Sequence, residues 1–285
     1  MTDRNYDTIS PSARSLLYMK GHTNIPFARR AAELLEPAGT FVPDFNKRDM
    51  TFWARVVHFE TRYWSIDQLL SDAPAANILE LSSGFSFRGL EAVTRRGVHY
   101  IDTDLPDVIA AKREIVSALL RETAVQGTME LLPLNALDKD RFDDVVSRFP
   151  PGPIAIINEG LLMYLDMEEK ERLSTLVHTA LRKRGGYWVT ADVYVRRVMG
   201  RLELTIDEKT KEFFERHRIE ENKFADFREA AAFFSRMGFS IDKEARVERA
   251  NLSALKYLFK SASLKELLRM RRAGKIQATW RLRAR

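Results

Sequence analysis

From Asn77 onward, short apolar runs alternate with stretches whose apolar positions recur every three or four residues. Asn77–Ser82 reads as a strand, with Gly84 as the turn that follows it. Phe87–Arg96 reads as a helix closed by Gly97, Val98–Asp102 as a second strand, and Leu105–Glu122 as a second helix. Asp104 stands where an N-cap belongs, and Pro106 falls in the first turn, where its missing N–H is harmless. Thr128–Leu134 gives a third strand, Asp138–Phe149 an amphipathic helix and Pro153–Asn158 a fourth strand. The fourth is almost wholly apolar, the pattern of a central strand covered on both faces. Asp166–Arg184 is a helix stopped by Gly185-Gly186, and Tyr187–Tyr194 is a fifth strand.

Strand–helix alternation at this spacing predicts an α/β fold, a doubly wound parallel sheet with helices on both faces. Such sheets bind ligands at the carboxyl ends of their strands. Ser82–Ser86, Asp102, Asp104, Asn135 and Asn158–Tyr164 fall at that edge. Residues 1–70 and about 195–230 are mainly helical and lie outside the alternation. They are expected to be an N-terminal helical cover and a helical insertion over the ligand edge of one domain spanning 71–285. Gly238-Phe-Ser-Ile starts another strand after a helix ending at Met237, and Gly274 ends a helix over Lys265–Ala273. Lys275–Arg283 alternates strictly, with Ile276, Ala278, Trp280 and Leu282 on one face and Lys275, Gln277, Thr279, Arg281 and Arg283 on the other. That period of two predicts a strand at the C-terminus.

Composition narrows the chemistry. Of the 285 residues 45% are apolar and 30% charged, enough to bury a sizeable core, which excludes a wholly disordered chain. The absence of cysteine excludes disulfides, iron–sulfur clusters, thiolate zinc sites and a cysteine nucleophile. Five scattered histidines, with no His-x-x-x-His pair, offer no basis for a metal site. No apolar run exceeds about five residues, so no transmembrane helix is expected, and the polar Met1–Asp7 lacks a signal-peptide core. A cytoplasmic protein is the expectation. The net charge of +6 is local: residues 256–285 carry +9 and the first 255 carry −3. Such a basic end could touch nucleic acid or anionic lipid, although a solvated face is the commoner outcome.

The loop after the first strand, Ser82-Ser-Gly84-Phe-Ser86, has one glycine, whereas dinucleotide pyrophosphate sites use Gly-x-Gly-x-x-Gly. S-adenosylmethionine carries no phosphate, and one glycine among small serines leaves room for its methionyl arm. Asp104 ends the second strand region twenty residues past Gly84 and can accept hydrogen bonds from both hydroxyls of a ribose. Loop and acid together point to an adenosine-bearing ligand. Asp104→Ala is expected to be costly for binding, with Asp102→Ala as a milder control.

Three ordered motifs carry a family resemblance: Ile78-Leu-Glu-Leu-Ser-Ser-Gly-Phe-Ser-Phe-Arg-Gly, Tyr100-Ile-Asp-Thr-Asp-Leu-Pro-Asp-Val-Ile-Ala-Ala-Lys-Arg and Asn158-Glu-Gly-Leu-Leu-Met-Tyr-Leu. Together with Ile9-Ser-Pro-Ser-Ala-Arg14 and Asn24-Ile-Pro-Phe-Ala they resemble the leucine carboxyl methyltransferase family, and within it bacterial O-methyltransferases of polyketide biosynthesis. The resemblance implies a class I, Rossmann-like methyltransferase fold that uses S-adenosyl-L-methionine, with a mostly parallel seven-stranded sheet. The last strand would then insert antiparallel beside the fifth. Position by position it implies cofactor contacts at Glu80, Ser82, Gly84, Asp104, Asn135, Ala136 and Glu159. Arg62 falls where a family arginine grips the methionyl carboxylate, and Arg14 where a second basic residue lies. Arg55 matches a similar string, but seven residues out of register. Asn135-Ala136 replaces an Asp-Leu pair, Ser82 a small Gly or Ala, and Ser86 a common Asp.

Glu159 and Tyr164, after the fourth strand, are the implied catalytic pair. A carboxylate acceptor needs no base, being ionised already, whereas a phenol or enol profits from one. His22, His58 and His217 fall in the expected cover, while His99 and His178 lie inside regular elements. Phe213, Phe214, Phe224, Phe227, Phe233 and Phe234 have the spacing of packed helix faces, some of them available to wall an acceptor pocket. The expected partner is a small-molecule acceptor. The alternatives are a nucleic-acid methyltransferase or binding protein using the basic end, or a cofactor-binding relative without activity. The fourth strand ends Asn158-Glu-Gly-Leu, without the Asn/Asp-Pro-Pro-aromatic motif of exocyclic-amine methylation.

Overall fold

The sheet order is β3-β2-β1-β4-β5-β7-β6, formed by β1 (Asn77–Leu81), β2 (His99–Asp104), β3 (Thr128–Pro133), β4 (Ile154–Asn158), β5 (Gly186–Tyr194), β6 (Phe239–Glu244) and β7 (Gln277–Ala284). The computed structural model describes residues 10–35, 42–46, 49–196, 208–247 and 249–285. Neighbouring strands from β3 through β5 are parallel; β7 is antiparallel to both β5 and β6. The sheet is therefore mixed, with the final strand inserted antiparallel beside β5, as the resemblance implies.

The helices are α1 (Ser10–Lys20), α2 (Ala28–Leu35), α3 (Met50–Asp72), α4 (Arg88–Ala92), α5 (Pro106–Leu120), α6 (Lys139–Ser147), α7 (Met167–Arg184), α8 (Glu208–Arg216), α9 (Phe227–Arg236), α10 (Leu255–Ser261) and α11 (Leu264–Ala273). Strand residues alternate between two cores. Leu79, Leu81, Ile154, Ile156 and Trp188 meet α6, α7 and α9 on one face. Ile78, Tyr100, Ala155, Ile157 and Val189 meet α3 and α4 on the other. All five residues of β4 are buried, because β4 is the middle strand of the seven.

Some expected boundaries move. The helix after β1 stops at Ala92 and not at Arg96, because the Val93 carbonyl accepts the N–H groups of Gln126 and Gly127 instead of continuing the helix. Asp104 is not the cap of α5: Leu105 holds that position, without a side-chain cap, and Pro106 begins the helix. Both β7 faces are covered, since Thr279 and Arg281 are buried along with Trp280. The Arg281 guanidinium lies over the Tyr187 ring and donates to the Leu69 carbonyl. Of the expected insertion, 197–207 lies outside the described residues, as do 1–9, 36–41 and 47–48 of the expected N-terminal cover. No described helix is long and apolar enough to cross a membrane.

Candidate active site

A cavity of about 810 Å³ opens at the carboxyl edge of the sheet, spanning β1 and β4, where strand order reverses. Its walls come from Ser82–Ser86 after β1, Asp104 at the end of β2, Leu134–Leu137 after β3, Glu159–Leu161 and Met163–Leu165 after β4, and Tyr194 of β5. From α3, Arg55, His58, Phe59 and Arg62 share one helical face and line the same space. α1 closes another side, and Phe213 and Phe214 of α8 add an aromatic wall.

The loop after β1 is tied to β2. Gly84 adopts a left-handed φ of +51° and gives its N–H to Asp104 Oδ2 at 2.7 Å; Leu105 N–H donates to Oδ1 at 2.7 Å. A Cβ on Gly84 would touch the Ala13 side chain at 3.4 Å. Each Asp104 oxygen keeps a lone pair beyond these bonds. Burial raises the Asp104 pKa, while the Gly84 and Leu105 N–H groups work against that rise. Ser82 sits at φ +50°, a conformation glycine adopts freely and serine only at a cost. The departure from Gly or Ala at this position is thus a strained one.

Glu159 is clamped by cations. Lys20 Nζ lies 2.7 Å from Oε1 and Arg88 Nη2 3.4 Å from Oε2. Burial alone would raise its pKa, but Lys20, Arg62 and Arg88 hold it down at about 2. Glu159 is therefore held as a fixed negative charge, unsuited to exchanging protons near neutral pH. Arg62 is buried, pairs with Asp192 Oδ1 at 3.2 Å and keeps an Nε with no partner among the described residues. Arg55, two turns earlier, lines the cavity but is only half-buried.

Asn135 is exposed at the cavity wall, its Oδ1 accepting from Leu137 N–H, and Ala136 is buried beside it. The Tyr164 hydroxyl lies 3.4 Å from Ser12 Oγ and its ring meets Phe213 and His217 edge-on. Burial raises its pKa, so it remains a phenol. Two expected contacts do not reach the cavity. Arg14 is exposed and absent from the lining, because α1 turns Ala13, Leu16 and Leu17 inward instead. Glu80 is fully buried behind the loop, accepting from Tyr100 at 2.6 Å, with burial and Asp102 pushing its pKa up to about 7.

Asp102 is not a neutral control. It pairs with Lys112 at 2.9 Å, both side chains having no exposure, and Lys112 also donates to Ser83 at 2.9 Å. Asp102→Ala strands a buried ammonium and is expected to cost about 3 kcal/mol of stability, measured by urea unfolding. A variant with wild-type midpoint would contradict the pairing.

Sequence reading missed Lys20, Arg88, Asp192 and Tyr194. Asp192 had a readable signal: the lone charged residue of a mostly apolar strand must find partners. Among the described residues no group of acids and histidines is arranged to hold a metal ion.

No family model matches this chain. Over 119 residues it is 29% identical to a protein of Parafrankia sp. (strain EAN1pec) named "Putative S-adenosyl-L-methionine-dependent methyltransferase". The match covers 40% of this chain and 37% of that relative, so the chain spans little more than a third of the curated relative it matches. Among solved structures, the magnesium protoporphyrin IX methyltransferase of Synechocystis PCC 6803 with bound SAH superposes with a TM-score of 0.48 at 10% identity, covering 91% of this chain and 96% of the other. The mitomycin 7-O-methyltransferase gives 0.47 at 12% identity, covering 91% and 69%.

Proposed function

We propose that this protein is an S-adenosylmethionine-dependent O-methyltransferase acting on a carboxylate or acidic hydroxyl of a small molecule. The observation that carries the reading is the clasp at the sheet edge: Gly84 bound to Asp104, with Arg62 on a wall of the same cavity. The residues suit the cofactor. The remaining Asp104 lone pairs face a cavity wide enough for a nucleoside, and Arg62 has an unmet Nε donor for a carboxylate. Asp104 would take the ribose hydroxyls, Asn135 and Ala136 the adenine, and the Ser82–Gly84 loop the methionyl arm. Arg62 would hold the methionyl carboxylate, and Glu159, kept ionised, its ammonium group.

When bound, the cofactor supplies an electrophilic methyl group; alignment and exclusion of water are the work of this chain. Phe213, Phe214 and Leu161 give the cavity an apolar wall, and Tyr164 offers a hydroxyl donor to position an acceptor. Glu80 and the Asp102–Lys112 pair act from behind, by fixing the strands that carry the loop.

Calorimetry with S-adenosylmethionine tests this. Asp104→Ala is expected to weaken binding by about 2–3 kcal/mol, the worth of hydrogen bonds to a charged acceptor. Unchanged affinity would remove Asp104 from the site. Arg62→Lys is expected to weaken binding by about 1–2 kcal/mol, because an ammonium cannot reproduce two parallel hydrogen bonds to a carboxylate. Arg55→Lys should change it little; the opposite order would show that the other register of α3 holds the ligand.

A further inference from the structure

The cavity wall carries a hydrogen-bonded pair to which the cofactor reading gives no role. Tyr194, at the end of β5, lines it, and the Tyr194 hydroxyl lies 2.7 Å from Nε2 of His58, which lines it from α3. The Arg62 guanidinium lies over the Tyr194 ring, 5.7 Å from its centroid. With the imidazole proton on Nδ1, the tautomer in which Nε2 accepts, the Tyr194 hydroxyl donates to His58.

We propose that Tyr194, backed by His58, removes the proton of the acceptor, and that the acceptor group is an ionisable hydroxyl of an aromatic or enolic molecule. The proposal rests on the methyltransferase reading above. A carboxylate is already ionised near neutral pH and has no proton to pass on. A hydroxyl acceptor uses both members of the pair. Its O–H bond breaks as the proton moves to the Tyr194 oxygen, and the Tyr194 proton moves to His58 Nε2. The acceptor oxygen's electron pair forms the new C–O bond, and the C–S bonding pair leaves with sulfur. A sulfonium, an alcohol and an imidazole become a sulfide, a methyl ether and an imidazolium.

Other groups on the wall do not substitute for this pair. Burial raises the Tyr194 pKa, so Tyr194 alone stays protonated and needs His58 to take its proton. Among the described residues, the charged groups on this wall or beside the pair are Arg55 and Arg62 of α3, Asp192 of β5, Glu159 after β4, Asp104 at the end of β2, Lys20 of α1 and Lys223. Asp104 accepts from Gly84 and Leu105 N–H and is taken by the ribose in the methyltransferase reading; of the other two acids, Asp192 is engaged by Arg62, and Glu159 by Lys20 and Arg88. None is available as the base. In these terms Tyr194 is the catalytic residue and His58 a positioning and proton-holding residue behind it.

The test uses the full chain, S-adenosyl-[methyl-¹⁴C]methionine, and two probe sets: 2-naphthol and 1,8-dihydroxyanthraquinone, against 2-naphthoic and anthraquinone-2-carboxylic acids. Mild alkali cleaves methyl esters and spares aryl methyl ethers. Alkali-stable label from the hydroxyarenes is expected, with kcat rising with pH through the imidazole range. His58→Gln should lower kcat by about 10²-fold and flatten that rise, with cofactor Kd unchanged by calorimetry. Tyr194→Phe should lower kcat at least as far. Alkali-labile label overturns the proposal, as does a pH profile that survives in His58→Gln. Transfer to neither probe set, with the cofactor bound in the calorimeter, overturns it too. Failure of the wild-type protein to bind the cofactor instead sinks the methyltransferase reading.

Discussion

Removing residues 275–285 is expected to leave no folded protein, whatever the salt or polyanion present. β7 is the strand that joins β5 to β6, so its loss unpairs both. It also strips Ala278, Trp280 and Leu282 from the larger core. Trp280 is 4% exposed, packs on Phe234 and donates its indole N–H to Glu244 at 2.8 Å. Trp280→Ala alone should cost about 3–5 kcal/mol, a large part of the ~5–15 kcal/mol that holds a typical domain folded. Soluble expression and thermal melting followed by circular dichroism check both. A soluble truncation with intact melting and lost polyanion binding would restore the nucleic-acid reading. The charges of this segment already argue against a free basic tail: Lys275 pairs with Glu244, and Arg281 and Arg283 with Asp242.

Asp192→Ala should be the most damaging single change near the cavity, on the order of 5 kcal/mol. Its carboxylate accepts from Gly160 N–H and Leu161 N–H, each at 2.7 Å, from Leu162 N–H at 3.2 Å and from Asn158 Nδ2 at 2.6 Å, and it pairs with Arg62. Its side chain has no exposure. Alanine there leaves a guanidinium, three backbone N–H groups and the Asn158 side-chain amide without this acceptor. The loop after β4, which carries Glu159 and Tyr164, would lose its anchor. Cofactor affinity should therefore fall although Asp192 itself is not part of the cavity lining. Asp192→Asn keeps the shape and one acceptor oxygen and should cost less than half as much. Urea unfolding paired with calorimetry measures both effects; wild-type stability in the alanine variant would refute the network.

Local patterns made much of the site legible. The positions of Gly84 and Asp104 at the cavity edge were readable because they depend on a turn and a strand end, both set by residues close in sequence. Tyr164 and Asn135 were readable for the same reason, as residues just past apolar strands. Glu80 and Arg14 were misplaced because a motif fixes position along the chain and not which side of a strand or helix meets the cavity. Glu80 lies on the buried side of β1, and Arg14 on the exposed side of α1. Asp102 looked like a spare acid until Lys112, a full helical turn and more into α5, proved to be its partner.

By itself the sequence determined the order of the sheet's strands and crossover helices, the sheet edge at which the cavity opens and the presence of a strand at the C-terminus, while its antiparallel place was implied only by the family resemblance. Hydrophobic periodicity and turn residues act over a few residues, and these features follow from them. Only the tertiary structure decided the electrostatics of the site. Lys20 reaches Glu159 across 139 positions, Arg62 reaches Asp192 across 130, and His58 reaches Tyr194 across 136. Whether a buried carboxylate serves as a base or as a fixed charge depends on which cations the fold brings within a few ångströms of it. In a low-dielectric interior that distance governs the energy, and spacing along the chain says nothing about it.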